Sequence, residues 1–327
     1  CQEEIEDLIE KVIQSAGSTT PEDKYGPTGF DPEDTPAQNK RRFIGSPEVF
    51  SYKIDYWNKE DATAPAAEVF IRDTLDADFD LSTFRFTEFG FLRWRVPIDG
   101  GQYFNATVDM RPDFNLLVNV EGTLNPYTRE IYWVHRSMDP ATLNLPDDPL
   151  SGFLPPIDST GYNIGWVNYS IRPRQGLPSG TVLSNRAFVN FDGVGPWGKA
   201  PPYGPYLNTY DFDAPQSTVT TLTPQVQTES FLVEWSGTDG SGSGIKKYSI
   251  YVSVNGAPYQ IWIADTAATS AVFTGLDGNT YRFYSTALDN VGNEEIEPPH
   301  DDASTSIVTD VKNLAQAGFK LRQNTPN

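Results

Sequence analysis

The residue types best suited to chemistry in this chain are its carboxylates. Asp and Glu number 44 against 24 Lys and Arg, for a formal net charge of −20. The best metal candidate among them is the acidic run Asp73-Thr74-Leu75-Asp76-Ala77-Asp78-Phe79-Asp80. Calcium takes several carboxylate and carbonyl oxygens from one or two loops, and such a run offers them. Asp76, Asp78 and Asp80 match the opening ligand positions of an EF-hand loop. The glycine that loop needs next is Leu81, and its closing glutamate is Thr87, so an EF-hand is excluded. What remains is a looser inter-strand calcium site, or a solvated turn after a strand. A second candidate is the loop from Asp139 to Pro149, with Asp147 and Asp148. Asp289, Asn293 and Glu294 offer a third, set against an ordinary turn.

Acid–base and nucleophilic chemistry finds less support. The histidines are His135, within the strand-like Tyr132-Trp133-Val134, and His300, beside Asp301 and Asp302. The first reads as structural, and no recognisable nucleophile accompanies the second. The sequence contains no Gly-x-Ser-x-Gly elbow, no His-Glu-x-x-His and no phosphate-cradling Gly-rich loop with Lys. Glycoside hydrolysis needs two carboxylates, and nothing singles out a pair. The expectation is a protein without catalytic or cofactor-binding residues. Exposed aromatic faces can stack on sugar rings. Trp133, Trp166 and Trp235 alternate with polar neighbours and read as core. Trp94, between Arg93 and Arg95, and Trp197, in a Pro/Gly-rich stretch, are the candidates for a carbohydrate or partner surface.

The excess of negative charge repels a phosphate backbone and excludes nucleic acid as a partner. No apolar run approaches the ~20 residues needed to span a bilayer. The one cysteine, Cys1, excludes an internal disulfide and a Cys-rich zinc site. It reads either as a lipidated mature N-terminus or as a fragment boundary.

These residues must be positioned by strands. Residues 1–17 are the exception: Ile5, Leu8, Ile9, Val12 and Ile13 fall on one stripe, which predicts a short amphipathic helix ended by Gly17. Residues 18–47 read as an extended lead-in. From 48 to 192, alternation such as Phe50/Tyr52/Ile54/Tyr56 and Phe104/Ala106/Val108/Met110 predicts short strands of an enlarged sandwich. Residues 193–215 are a Pro/Gly/aromatic connector. A second sandwich follows over 216–310, and 311–327 read as a linker into a further domain. The fold class is all-β, two sandwiches in tandem behind a short helix.

Three resemblances accompany this reading. Phe231/Val233/Trp235, Tyr248/Ile250/Val252, then Leu276, Tyr281, Phe283, Ala287 and Asp289-Asn290-Val291-Gly292-Asn293 resemble a fibronectin type III module. That resemblance implies that the Tyr281 hydroxyl returns to nearby backbone and pins a corner of the sandwich. Val69-Phe70-Ile71-Arg72-Asp73-Thr74-Leu75 and Gly180-Thr181-Val182-Leu183-Ser184-Asn185-Arg186-Ala187 resemble the Ig-like bacterial surface-protein repeat called the domain of unknown function 11 group. Phe319-Lys320-Leu321-Arg322-Gln323-Asn324-Thr325-Pro326-Asn327 resembles the opening of a type IX secretion sorting domain. Together they imply a non-enzymatic structural, spacer or adhesion region of a large secreted or cell-surface bacterial protein. Its partners would be other domains of the same polypeptide, other surface proteins or carbohydrate. The alternative is an accessory, carbohydrate-binding region of a multidomain secreted hydrolase. Fold alone decides neither.

Overall fold

The computed structural model describes residues 22–46, 49–159 and 161–309. The amphipathic segment expected over 1–17 and the sorting-type stretch of 311–327 lie outside the described residues. Within them the chain is strands and loops, with one short 3-10 turn at Ala37–Asn39 and no α-helix. No helix among them is long and apolar enough to cross a membrane. The chain divides into two compact units, Cys1–Tyr210 and Asp211–Asn327.

The strands of the first unit are Glu22–Tyr25 (β1), Phe43–Ile44 (β2), Phe50–Trp57 (β3), Glu68–Thr74 (β4), Phe79–Phe91 (β5), Trp94–Gly100 (β6) and Tyr103–Asp109 (β7). After these come Leu117–Asn125 (β8), Glu130–Met138 (β9), Ile164–Pro173 (β10), Val182–Phe191 (β11), Gly198–Ala200 (β12) and Tyr206–Tyr210 (β13). One sheet has the order β1-β3-β10-β5-β6; the other runs β2-β13-β11-β4-β9-β8-β7, with β12 also on β11. Alternation sets the faces: in β3, Phe50, Tyr52, Ile54 and Tyr56 are buried while Ser51 is exposed. Val69 and Ile71 of β4 and Trp133 of β9 do the same for the other sheet. Edge-to-face contacts such as Phe86–Trp133, with centroids 5.6 Å apart, join the layers. Burying each large apolar side chain contributes roughly 1.5–3 kcal/mol.

Two segments read as lead-in and connector carry strands. Residues of the stretch 18–47 form β1 and β2, and residues of 193–215 form β12 and β13. In β1 the inward positions are polar, Glu22 and Lys24, which hides it from an apolar-pattern search, whereas β13 buries Tyr206, Asn208 and Tyr210 just after the Pro- and Gly-rich run that reads as connector. Trp166 also differs from its reading as core. The buried positions of β10 are Gly165, Val167, Tyr169, Ile171 and Pro173, so the Trp166 ring lies on the outer face, half-buried. Its indole N–H donates to Glu88 Oε1 at 2.8 Å.

The second unit opens with Gln216–Val219 (β14), Gln225–Val226 (β15), Ser230–Thr238 (β16) and Ile245–Val254 (β17). Gln260–Thr266 (β18), Ser270–Thr274 (β19), Thr280–Asp289 (β20) and Ala303–Ile307 (β21) complete it. A three-stranded sheet β14-β16-β19 faces a five-stranded sheet β15-β21-β20-β17-β18, an Ig-like arrangement. Val233, Trp235, Ile250, Phe273, Tyr281, Phe283 and Ile307 form the shared core. The corner is pinned as expected: the Tyr281 hydroxyl accepts the Leu276 backbone N–H at 2.7 Å. A side chain at Gly275 would strike the Tyr281 ring, so the turn needs glycine there. Leu276 itself is 67% exposed; its backbone, not its side chain, holds the corner.

Candidate functional sites: a buried lysine centre and an acidic cluster

In the first unit a polar centre sits between the sheets. Lys24 on β1 pairs in register with Ile54, so its side chain enters the interior from the edge of the five-stranded sheet. Tyr169 on β10 comes from the same sheet, opposite Tyr52. Asp73 on β4 and Asn185 on β11 come from the facing sheet, where Asp73 lies opposite Ala187, two residues beyond Asn185. All are buried: Lys24 and Asn185 are 1% exposed, and Asp73 and Tyr169 are 0%. Lys24 Nζ donates to Asp73 Oδ2, to Asn185 Oδ1 at 2.6 Å and to the Tyr169 hydroxyl at 3.1 Å. The Tyr169 hydroxyl donates to Asp73 Oδ2 at 2.7 Å and accepts from Asn185 Nδ2 at 2.6 Å. The ammonium also lies 4.8 Å from the Tyr52 ring centroid. Its three donors are therefore all used, as a buried cation requires. Burial nonetheless pushes the Lys24 amine down to about 8, outweighing the opposing charge and hydrogen bond of Asp73.

In the second unit, Asp211, Asp239 and Asp289 bring carboxylate oxygens within 4.8 Å of one another. Asp211 and Asp289 are 1% and 0% exposed. Backbone amides organise the group. Ser243 N–H donates to Asp211 Oδ2 and Gly244 N–H to Asp239 Oδ2, both at 2.7 Å. The Val291, Gly292 and Asn293 amides converge on Asp289 Oδ1 at 2.6–2.9 Å. Asp211 Oδ1 is buried and accepts no hydrogen bond. A Cβ at Gly242 would fall 2.5 Å from Asp239 Oδ2 and 2.8 Å from Asp211 Oδ1, so the glycine leaves the oxygens room to converge. No Lys, Arg or His among the described residues forms an ion pair with any of the three. Burial raises the Asp239 carboxyl, and the charges of Asp211, Asp289 and Asp213 add to the rise.

The residues singled out from sequence are placed elsewhere. Asp76 is bound into its turn, its Oδ1 accepting Asp78 N–H and its Oδ2 accepting Ser184 N–H, each at 3.0 Å. Asp80 Oδ1 accepts the amide and hydroxyl of Ser82. Asp147 and Asp148 are exposed on the rim of a hollow of about 430 Å³ that Phe114 and Leu145 also line. Neither set converges as the Asp211 group does. Of the third candidate, Asp289 joins the group, while Asn293 donates from Nδ2 to Asp289 Oδ2 and to the Asp211 carbonyl. Trp94 borders a shallow hollow of about 240 Å³ with Arg93, Phe114 and Tyr162. Trp197 is 39% exposed, with the Arg72 guanidinium 5.3 Å from its ring centroid. His135 is fully buried among Tyr56, Phe89, Phe91 and Phe153, with no partner for either ring nitrogen, and burial pushes it down to about 3. His300 lies exposed in a loop.

Sequence reasoning missed Lys24 and Asp211. Asp73 and Asn185 sat inside the two motifs that carried the surface-repeat resemblance, but nothing joined them to Lys24 across 49 and 161 residues of chain. The signal was a lysine at an inward position of the alternating Glu22-Asp23-Lys24-Tyr25.

The fold and these centres define an all-β protein of two successive sandwich units with polar groups set deep in each. No family model matches the chain, and a search of curated proteins finds no match. Among solved structures it is similar to the major pilin subunit BcpA of Bacillus cereus, at 11% identity and TM-score 0.31, over 89% of this chain and 69% of that one. It is similar also to the pilus backbone protein RrgB of Streptococcus pneumoniae, at 14% identity and TM-score 0.30, over 90% and 57%. The collagen-binding domain of a Staphylococcus aureus adhesin matches at 13% identity and TM-score 0.29, over 57% and 96%. Likeness at this level carries no argument about function, which must come from the chain's own residues.

Proposed function

We propose that the chain is a structural, spacer or adhesion region of a secreted or cell-surface bacterial protein. The observation that carries this reading is the tie between the sheets of the first unit. Lys24 stands on an edge strand, where pulling from the chain's N-terminal side would first peel the sandwich. Its side chain is anchored to Asp73 and Asn185 in the opposite sheet. A buried, hydrogen-bonded anchor at that place resists separation of the layers in a way that apolar contact alone does not. The acidic surface suits a salty exterior and keeps copies of the chain apart. Candidate contacts for a partner or a carbohydrate are the aromatic hollow at Trp94 and the exposed Trp197.

The test is mechanical. The full chain is held at both ends and stretched, beside Lys24→Ala. The wild-type first unit should open at clearly higher force than the variant. Equal opening forces would remove the support for a mechanical role. A pull-down on insoluble polysaccharides, with Trp94→Ala as control, checks the accessory reading: retention lost in the variant would favour it.

A further inference from the structure

We propose that Lys24 and Asn185 join covalently: Lys24 Nζ attacks Cγ of Asn185, ammonia leaves, and an intramolecular amide ties β1 to β11. The reacting groups are already in contact, with Nζ 2.6 Å from Asn185 Oδ1 and the carbonyl carbon one bond beyond. Holding reactants this way replaces a bimolecular encounter with effective molarities of roughly 10⁵–10⁸ M, which an amide exchange otherwise far too slow at neutral pH requires.

The centre also supplies the proton transfers. The Lys24 ammonium passes one proton to Asp73 Oδ2, with which it is in direct contact. The freed lone pair forms the Nζ–Cγ bond, and Oδ1 takes the carbonyl electron pair. Asp73 then returns its proton to Nδ2 through the Tyr169 hydroxyl, which lies 2.7 Å from Asp73 Oδ2 and 2.6 Å from Nδ2. The carboxylate so regenerated takes a second proton from Nζ. As the carbonyl re-forms, the Cγ–Nδ2 bond breaks and ammonia departs. Lysine ammonium, carboxylate and primary amide have become a secondary amide, a carboxylic acid and ammonia, with atoms and charge balanced. Burial favours the neutral amine that the attack needs, in line with the lowered Lys24 value. The rings of Tyr52, Phe84 and Trp133, packed on Tyr169 with centroids 5.2–5.9 Å away, keep out the water that would compete for Cγ. Ammonia lost to solvent makes the step one-way. This bond goes beyond the surface role and stands or falls without it, because mass reads the one and force the other.

The full chain, folded and then denatured, is weighed by intact mass spectrometry. The expected mass is lighter than the sequence by one ammonia, and digestion should yield a branched peptide joining Lys24 to Asn185. Asp73→Ala, Asp73→Asn and Asn185→Ala should return the full mass, with circular dichroism of the near-isosteric Asp73→Asn checking that the sheets form. A wild-type mass equal to the sequence overturns the proposal. So does a deficit without the branched peptide, which places ammonia loss at another asparagine.

We infer that Asp211, Asp239 and Asp289 bind a divalent cation of the calcium type. The pointer to a ligand is Asp211 Oδ1, buried and without a hydrogen-bond partner beside two further carboxylates. An unpaired buried carboxylate oxygen is costly, and a cation supplies the missing partner. Oxygens around calcium at about 2.3–2.6 Å are separated by at most about 5 Å, which the spread of 4.8 Å satisfies. All-oxygen ligation by carboxylates selects hard cations over zinc or copper. Protein stripped with chelator is titrated with calcium alone by calorimetry and by melting. Saturable binding and a rise of several degrees are expected, both lost in Asp239→Asn and Asp211→Asn. No heat and coincident melts overturn the site, as does binding that survives in both variants.

Discussion

The two units bury ionisable groups by opposite strategies. In the first, Lys24 meets Asp73 with every ammonium donor used, and the pair is held by Asn185 and Tyr169. In the second, Asp211, Asp239 and Asp289 bring like charges together, and neutral backbone amides carry only part of the load. The first centre is complete within the chain. The second is complete only with a positive partner from solution. Burying charge costs several kcal/mol per ion, so each unit must offset it, one by pairing and the other by ligation.

The largest effect should come from breaking the first strategy. Lys24→Ala leaves Asp73 fully buried without its counter-charge, and urea unfolding of the first unit should show a loss of about 3–5 kcal/mol. A double variant sharpens the point. If Lys24 and Asp73 form only an ion pair, Lys24→Met with Asp73→Leu should recover most of the loss, since apolar replacements of buried pairs are often near neutral. If the amide forms, the double variant also loses a cross-link closing a long loop, worth about 4–5 kcal/mol, and stays far below wild type.

His135 shows what the first unit does with a buried base that it leaves unpartnered. Its folded value is near 3 against an ordinary 6.5. Below pH 6.5 the unfolded chain binds a proton that the folded chain refuses. Stability from this group is therefore present above 6.5 and lost as pH falls toward 3, by up to about 1.4 kcal/mol per unit. His135→Phe, among four aromatic neighbours, should flatten this acid limb in melts from pH 7 to 4. An unchanged acid limb would assign it to carboxylates instead.

How much of this was legible in the sequence follows from the same contrast. The strands with apolar inner faces, β3, β7 and β16, were readable because alternation marks burial. Tyr281 and its corner were readable because a local turn carries them. β1 was not, because its inward residues are Glu22 and Lys24 and polarity reads as exposure; β13, whose inner face is Tyr206, Asn208 and Tyr210, was hidden by the Pro- and Gly-rich run before it. The Asp73 run drew attention for its alternate Asp76, Asp78 and Asp80. Yet Asp76 and Asp80 spend their oxygens on local amides, whereas the converging carboxylates come from two loops and the end of β20, far apart in the chain. Clustering along the chain and clustering in space are different properties, and a cation responds only to the second.

The second unit's strategy gives a smaller and conditional effect. Without divalent ions, Asp239→Asn removes one of three repelling charges and should raise the unit's stability slightly. With calcium at about a hundred times its dissociation constant, wild type gains about 2.7 kcal/mol, and the variant should now be the weaker. A crossing of the two melting curves as calcium rises is the signature. Parallel curves would leave the carboxylates as a tolerated liability and collapse the contrast between the units.

The smallest effect tests a polar group whose role in the second unit is purely local. The Tyr281 ring is 3% exposed and belongs to the core, so Tyr281→Phe keeps the packing with Phe273, whose ring centroid lies 4.9 Å away. What disappears is the hydroxyl that accepts the Leu276 amide at 2.7 Å and the Asn279 side chain at 3.3 Å. The Leu276 side chain is already in solvent, so water can replace the lost acceptor near the turn and limit the penalty. The cost should be about 0.5–1.5 kcal/mol by chemical denaturation, the same with calcium or chelator. A loss well above that range, or one that depends on calcium, would mean that the corner transmits to the Asp289 turn at the far end of β20. The second unit's polar devices would then act as one network, as Lys24, Asp73, Tyr169 and Asn185 do in the first.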